Sequence, residues 1–111
     1  MLKKTLLIDL DGVLNEYKGD FNKDFIPPIL NGAKEFLQEI SKAYEVKIFT
    51  TRNKLQAAKW LIENELDSFI NDITDKKEIA LVYIDDRCIQ FRGDFKQLLS
   101  DLQIFKPWYK D

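Results

Sequence analysis

Short apolar runs alternate along the chain with longer stretches in which apolar residues recur at helical spacing. The runs predict strands over residues 3–9, 46–49 and 79–84. Residues 69–70 and 88–91 are shorter candidates, the second as an edge strand. The first strand is apolar on both faces, which is typical of a central strand in a parallel sheet.

Three stretches have the apolar spacing of helices, and they lie between or after the predicted strands. Their apolar positions are Leu30, Ala33, Phe36, Leu37, Ile40 and Tyr44; then Leu55, Ala58, Leu61, Ile62 and Leu66; then Phe95, Leu98, Leu99 and Leu102. Strands that alternate with helices predict an α/β fold with a mainly parallel sheet and right-handed crossovers. Ligands of such sheets bind beyond the carboxyl ends of the strands.

The length and composition indicate one ordinary globular domain over residues 1–111. The chain is 45% hydrophobic and 32% charged, and its net charge of −2 argues against broad binding of nucleic acid. The apolar run before Asp9 is too short for a signal peptide or a membrane span. The single cysteine permits no intrachain disulfide, which fits a cytoplasmic protein.

The sequence has no histidine, and this absence narrows the possible chemistry. Catalytic triads that use histidine and zinc sites of the HExxH type are excluded. Proton transfer would instead need a carboxylate, lysine, tyrosine or the cysteine.

Polar residues follow each of the three main predicted strands. Asp9 and Asp11 end the first strand two positions apart, Thr50 follows the second, and Asp85 and Asp86 follow the third. In a parallel sheet these ends lie along one edge, so we expect the side chains to converge. Carboxylates held so close together repel one another unless a cation or a shared proton compensates.

These residue types suit phosphoryl transfer. We expect Asp9 to bind Mg²⁺ and attack phosphorus, and Asp11 to act as general acid and base and to help hold the metal. Asp85 and Asp86 would complete an all-oxygen Mg²⁺ site. Thr50 would contact a phosphoryl oxygen.

Three further candidates flank these groups. A lysine, either Lys76 or Lys77 with Lys77 favoured, would balance the negative charge. Thr51 and Arg52 are candidate substrate-binding residues. The structural alternatives are a helix N-cap for Thr50, a role that Thr51 could serve as well, and a surface ion pair for Arg52.

The order of these motifs resembles that of the haloacid dehalogenase (HAD) superfamily. Residues 9–13 read Asp-Leu-Asp-Gly-Val, and Thr50, a lysine and the pair Asp85-Asp86 follow in the order of motifs I to IV. The chain is especially similar to small bacterial and phage members with a Tyr-Ile-Asp-Asp-Arg motif, here at residues 83–87. The resemblance implies a three-layer Rossmann-like core and an aspartate-based, Mg²⁺-dependent phosphatase with the roles given above.

The resemblance also has consequences for the substrate. Residues 19–28 and 66–77 are too few to hold a cap domain, so a large substrate, a partner chain or the 13–28 loop would have to cover the site. Capless members often act on phosphoproteins or nucleic-acid ends, so the phosphorylated substrate is a small molecule or such a macromolecule. No membrane partner is expected, and an oligomer is compatible with the sequence. The alternative function is a non-catalytic module that binds Mg²⁺ and phosphate, or a partner-binding protein.

Overall fold

Four parallel strands form a single sheet in the order β3-β2-β1-β4, as seen in a computed structural model that describes residues 2–111. Met1, the first residue of the predicted domain, lies outside the described residues. The strands are β1 (Lys4–Asp9), β2 (Tyr44–Phe49), β3 (Asp72–Thr74) and β4 (Val82–Ile84). The helices are α1 (Ala33–Ile40), α2 (Lys54–Glu63) and α3 (Phe95–Ile104), with a 3₁₀ turn at Asp67–Phe69. The predicted α/β class and parallel sheet are therefore confirmed.

Strand β1 lies in the middle of the sheet, between β2 and β4. Ile8 pairs with Ile48 on one side and with Ile84 on the other. Because all three strands run in the same direction, their carboxyl ends meet at one edge. The register therefore brings residues 9, 50 and 85 to the same end of the sheet.

The hydrophobic core lies between one face of the sheet and helices α1 and α2. Leu6, Ile8, Val46 and Ile48 contribute from the strands, and the helices contribute Leu37, Ala57 and Leu61, among others. Burial of a leucine or isoleucine side chain stabilises a fold by about 1.5–3 kcal/mol. This packing holds the central strands in register, and so fixes the positions of the groups at their ends.

Two helices begin at side chains that cap them. The Asn53 carboxamide oxygen accepts hydrogen bonds from the backbone N–H groups of Leu55 and Gln56, at 2.9 and 3.1 Å, at the start of α2. Asp94 caps α3 in the same manner. Such caps satisfy N–H groups that have no partner within the helix. The cap at Asn53 also ends the loop that carries Thr50 and Arg52.

Several predicted strand boundaries were wrong. Phe69 belongs to the 3₁₀ turn, and β3 begins only at Asp72. Backbone pairing with β2 starts only at Asn71, whose N–H donates a hydrogen bond of 2.8 Å to the Val46 carbonyl. The Asn71 side chain also accepts a hydrogen bond of 2.8 Å from the Val46 N–H. The third main strand is confined to Val82–Ile84, and residues 88–91 form no strand. Apolar composition alone does not distinguish a paired residue from an unpaired one.

Helix α3 has the predicted position, but its apolar residues are not buried. Leu99 and Leu102 are 64% and 60% exposed, and α3 contributes no buried side chain. Ile79, in the predicted third strand, is 98% exposed. The described core is therefore built from the first two-thirds of the chain. Within residues 2–111, no helix combines the length and apolar character needed to cross a membrane.

Candidate functional site

Three carboxylates converge at the carboxyl edge of the sheet. Asp9, Asp85 and Asp86 each offer one oxygen, and these oxygens all lie within 4.8 Å of one another. The register explains the convergence: Ile8 pairs with Ile84, so the next residue of each chain segment is an aspartate at the strand end. We call Asp9, Asp85 and Asp86 the acid cluster.

Backbone donors orient two members of the acid cluster. The Leu10 N–H donates a hydrogen bond of 3.0 Å to Asp9 Oδ1. The Arg87 N–H donates one of 2.8 Å to Asp85 Oδ1. Each bond fixes one carboxylate oxygen to the backbone of the loop that follows its strand.

Burial and mutual repulsion raise the pKa values of two members of the acid cluster, Asp9 and Asp85. Burial raises the pKa of Asp9 to about 8, with further contributions from its hydrogen bond with Asp86 and from the charges of Asp85, Asp86 and Asp11. Burial is also the main cause that raises the pKa of Asp85. A divalent cation at this point would remove the repulsion. The donors are all carboxylate oxygens, which suit a hard divalent cation, so the site fits such an ion.

Asp11 lies next to the acid cluster, but its carboxylate is turned to other partners. Asn15 Nδ2 donates to Asp11 Oδ1 at 3.0 Å, and Arg52 Nε donates to Asp11 Oδ2 at 2.8 Å. Among the described residues, the Asp11 carboxylate is not part of the group of oxygens within 4.8 Å. The structure therefore brings three of the four predicted metal ligands together through their side chains.

Asn15 shapes the turn after β1. Its side chain is fully buried, and its Oδ1 accepts hydrogen bonds from the N–H groups of Gly12 and Tyr17, at 3.2 and 3.0 Å. Because its Nδ2 holds Asp11, one side chain organises both the turn and the carboxylate. This residue was missed as a site residue, since a lone asparagine in a turn-rich segment has no distinguishing spacing.

The residues after β2 occupy different environments. Thr50 is buried, and its Oγ1 accepts a hydrogen bond of 3.1 Å from the Arg52 N–H. Thr51 is exposed, and Asn53 rather than Thr51 caps the next helix. Arg52 is buried against Asp11, so the alternative of a surface ion pair was wrong. Its Nη2 has no hydrogen-bond partner among the described residues.

The two candidate lysines are placed differently. Lys77 lines a cleft of about 660 Å³ together with Asp9 and Asp85, whereas Lys76 does not line it. The Lys77 ammonium lies 4.9 Å from the centre of the Tyr83 ring, a distance at which the cation and the ring attract each other. This placement favours Lys77 as the lysine of the site.

The C-terminal residues also reach this edge of the sheet. Trp108 Nε1 donates a hydrogen bond of 2.7 Å to the Gly12 carbonyl, and the Tyr109 hydroxyl donates one of 2.7 Å to Asp86 Oδ2. Burial and the neighbouring Asp86 carboxylate raise the pKa of Tyr109. The sequence alone does not reveal these contacts, because an aromatic pair near a terminus has no spacing that indicates what it touches.

Comparisons with known proteins bear on the fold. No family model matches the chain, and no curated protein matches it. A solved structure of a conserved protein from Bacteroides thetaiotaomicron aligns with a TM-score of 0.63, over 92% of this chain and 91% of that chain. The two sequences are 17% identical. The similarity supports the α/β fold at nearly full length and leaves the function open.

Proposed function

We propose that the chain is a phosphatase of the HAD type that hydrolyses a phosphomonoester through an aspartyl-phosphate, with Mg²⁺ held by the acid cluster. The convergence of Asp9, Asp85 and Asp86 from two adjacent strand ends carries the proposal. The parallel sheet with β1 at its centre is compatible with the Rossmann-like core that the motifs imply. Asp11, two residues after Asp9, supplies the second carboxyl group that the reaction needs.

The first half of the proposed reaction transfers the phosphoryl group to the protein. A carboxylate oxygen of Asp9 forms a bond to phosphorus, and the bond between phosphorus and the leaving oxygen breaks. The carboxyl group of Asp11, in its protonated form, gives its proton to that leaving oxygen. The products are an alcohol and the aspartyl-phosphate at Asp9.

The second half releases phosphate. Asp11, now a carboxylate, takes a proton from a water molecule whose oxygen bonds to phosphorus, and the bond from phosphorus to Asp9 breaks. Inorganic phosphate leaves, and both aspartates return to their starting states. Asn15 and Arg52 hold Asp11 in position for both proton transfers.

The remaining groups balance charge. Mg²⁺ would neutralise the acid cluster and the phosphoryl oxygens, so that an anionic carboxylate can approach an anionic substrate. The Lys77 ammonium lines the same cleft as Asp9 and would add a second positive charge. Thr50, at the adjacent strand end, would donate to a phosphoryl oxygen, and Thr51 and Arg52 lie in the same loop.

The direct test is release of inorganic phosphate from an aryl phosphate, with MgCl₂ or with EDTA. We expect turnover with Mg²⁺, none with EDTA, and none from Asp9→Asn. Asp67→Asn is the matched control, because Asp67 is an exposed aspartate in the 3₁₀ turn, away from the acid cluster. Activity in Asp9→Asn would remove Asp9 as the nucleophile. Mg²⁺ binding without turnover on small, peptide and oligonucleotide phosphates would favour the non-catalytic module.

A further inference from the structure

The last six residues, 106–111, return from α3 to the edge of the sheet that carries the acid cluster; we call them the C-terminal tail. Two hydrogen bonds of 2.7 Å fasten the tail to the site, one from Trp108 to the Gly12 carbonyl and one from Tyr109 to Asp86. The first bond reaches the loop after β1, and the second reaches the loop after β4. The tail therefore connects the two loops that supply the acids.

Aromatic contacts hold the Tyr109 ring between its neighbours. The Trp108 and Tyr109 rings meet edge to face with centroids 5.6 Å apart, and Tyr17 meets Tyr109 at 5.8 Å with an interplanar angle of 76°. Such pairs stabilise by about 0.5–1.5 kcal/mol beyond their buried area. The ring is thus restrained on two sides, so its hydroxyl has a defined position over Asp86.

The fit between the tail, Asp86 and Gly12 is close. A Cβ atom at Gly12 would lie 2.2 Å from Asp86 Oδ2 and 3.1 Å from Tyr109 Cε2. Only a residue without a side chain allows the carboxylate and the tyrosine ring to approach the backbone at this point. Gly12, Asp86 and Tyr109 therefore form one packed unit at the rim of the acid cluster.

We propose that Tyr109 is a positioning residue for the cation site, and that the C-terminal tail braces the loops after β1 and β4 on which the acid cluster depends. This inference rests on the proposed function, because it takes Asp86 as a metal ligand. A phenol that donates to Oδ2 fixes the rotation of the Asp86 carboxylate and leaves its other oxygen free to coordinate a cation. Groups that hydrogen-bond to a metal-ligating side chain, without touching the metal themselves, set the orientation of that ligand.

The test measures Mg²⁺ affinity by isothermal titration calorimetry, with MgCl₂ as the only titrant. We expect Tyr109→Phe, which keeps the ring and removes the hydroxyl, to weaken Mg²⁺ binding by about 10- to 100-fold. Tyr17→Phe is the matched control: it removes a hydroxyl from the ring that packs against Tyr109 and leaves the Tyr109 bond intact, so its affinity should equal that of the wild type. Trp108→Phe, which removes the other hydrogen bond of the tail while the chain keeps its full length, should also weaken binding. Circular dichroism and a thermal melt establish that each variant is folded.

Two results would overturn the inference. Unchanged Mg²⁺ affinity in Tyr109→Phe would show that its hydroxyl does not position Asp86. Tighter binding in that variant would show that the tail obstructs the site rather than supports it. Because calorimetry requires no turnover, it tests the tail proposal whether or not the chain hydrolyses a phosphate ester. A wild-type chain that binds Mg²⁺ but hydrolyses nothing would contradict only the phosphatase proposal. A wild-type chain that binds no Mg²⁺ would contradict both proposals.

Discussion

Arg52 Nε donates a hydrogen bond of 2.8 Å to Asp11 Oδ2, and the two side chains are only 1% and 16% exposed. Arg52 Nη1 donates a second bond of 2.9 Å to the Asn22 carbonyl, and the guanidinium lies 4.6 Å from the centre of the Phe21 ring. Arg52 thus joins the loop after β2 to Asp11 and to the loop over residues 21–22. The buried guanidinium group of Arg52 therefore connects the loops around the site.

Loss of the Arg52 guanidinium group should destabilise the fold. We expect Arg52→Met to lower the free energy of unfolding by about 3–5 kcal/mol, because it leaves the Asp11 carboxylate partly buried without its partner. Urea denaturation monitored by tryptophan fluorescence measures the change.

The matched control for Arg52→Met is Lys34→Met. Lys34 pairs with Glu65 at 2.9 Å, but these side chains are 39% and 79% exposed. Exposed pairs of this kind contribute about 0–1 kcal/mol. A loss in Arg52→Met no larger than in Lys34→Met would contradict a structural role for the buried pair.

Apolar patterning alone was enough to predict the sheet class and the strand ends that bear Asp9, Thr50 and Asp85. Such patterning works here because β1 and β2 are central strands, and their burial requires nearly continuous apolar sequence. It was less reliable beyond residue 66. The apolar residues at 79–83 and along α3 are largely exposed. In this part of the chain, an apolar residue type does not indicate a buried position.

The partners of the acids were not predictable from the sequence, because each depends on tertiary distance. Asn15 and Arg52 meet at Asp11 although 37 positions separate them, and Tyr109 reaches Asp86 across 23 residues. Arginine two residues after a strand is as compatible with a solvent-exposed contact as with a buried one. Only the fold distinguishes the two environments.

The different burial of α1 and α3 gives a test of the packing. Leu37 in α1 is fully buried, whereas Leu99 in α3 is 64% exposed. We expect Leu37→Ala to cost about 2–5 kcal/mol of unfolding free energy, because it removes core packing and leaves a cavity. Leu99→Ala should change stability by less than about 0.5 kcal/mol. Chemical denaturation of both variants measures these changes in the free energy of unfolding. Comparable losses of stability in Leu37→Ala and Leu99→Ala would mean that Leu99 is packed in solution.

The raised pKa of Asp9 predicts how stability depends on pH when no cation is bound. Asp9 has an ordinary pKa of 3.8 and a pKa of about 8 in the folded chain. Between about pH 4 and pH 8 the folded chain keeps a proton at Asp9 that the unfolded chain has released. The unfolded state then binds fewer protons, so the Asp9 contribution to stability falls as the pH rises through this interval.

Melting temperatures in EDTA at pH 5, 6.5 and 8 test this dependence. Asp9→Asn should lose less stability than the wild type between pH 5 and pH 8, and the exposed control Asp67→Asn should follow the wild type. MgCl₂ at pH 8 should raise the melting temperature of the wild type, because an ion that binds only the folded state stabilises it. Parallel pH profiles for Asp9→Asn and the wild type would contradict the shift at Asp9.

Gly12 and Gly93 allow the effect of backbone conformation to be separated from the effect of close packing at the site. Both glycines have a positive φ, +84° and +86°, so alanine at either position carries a strain of about 1–2 kcal/mol. A Cβ at Gly93 would meet nothing within 4 Å, whereas one at Gly12 would lie 2.2 Å from Asp86 Oδ2. We therefore expect Gly12→Ala to lose more stability than Gly93→Ala and, unlike Gly93→Ala, to lose Mg²⁺ affinity as well. Urea unfolding and calorimetry with MgCl₂ measure the two effects, and equal affinities in the two variants would show that the position of Asp86 does not depend on contact with Gly12.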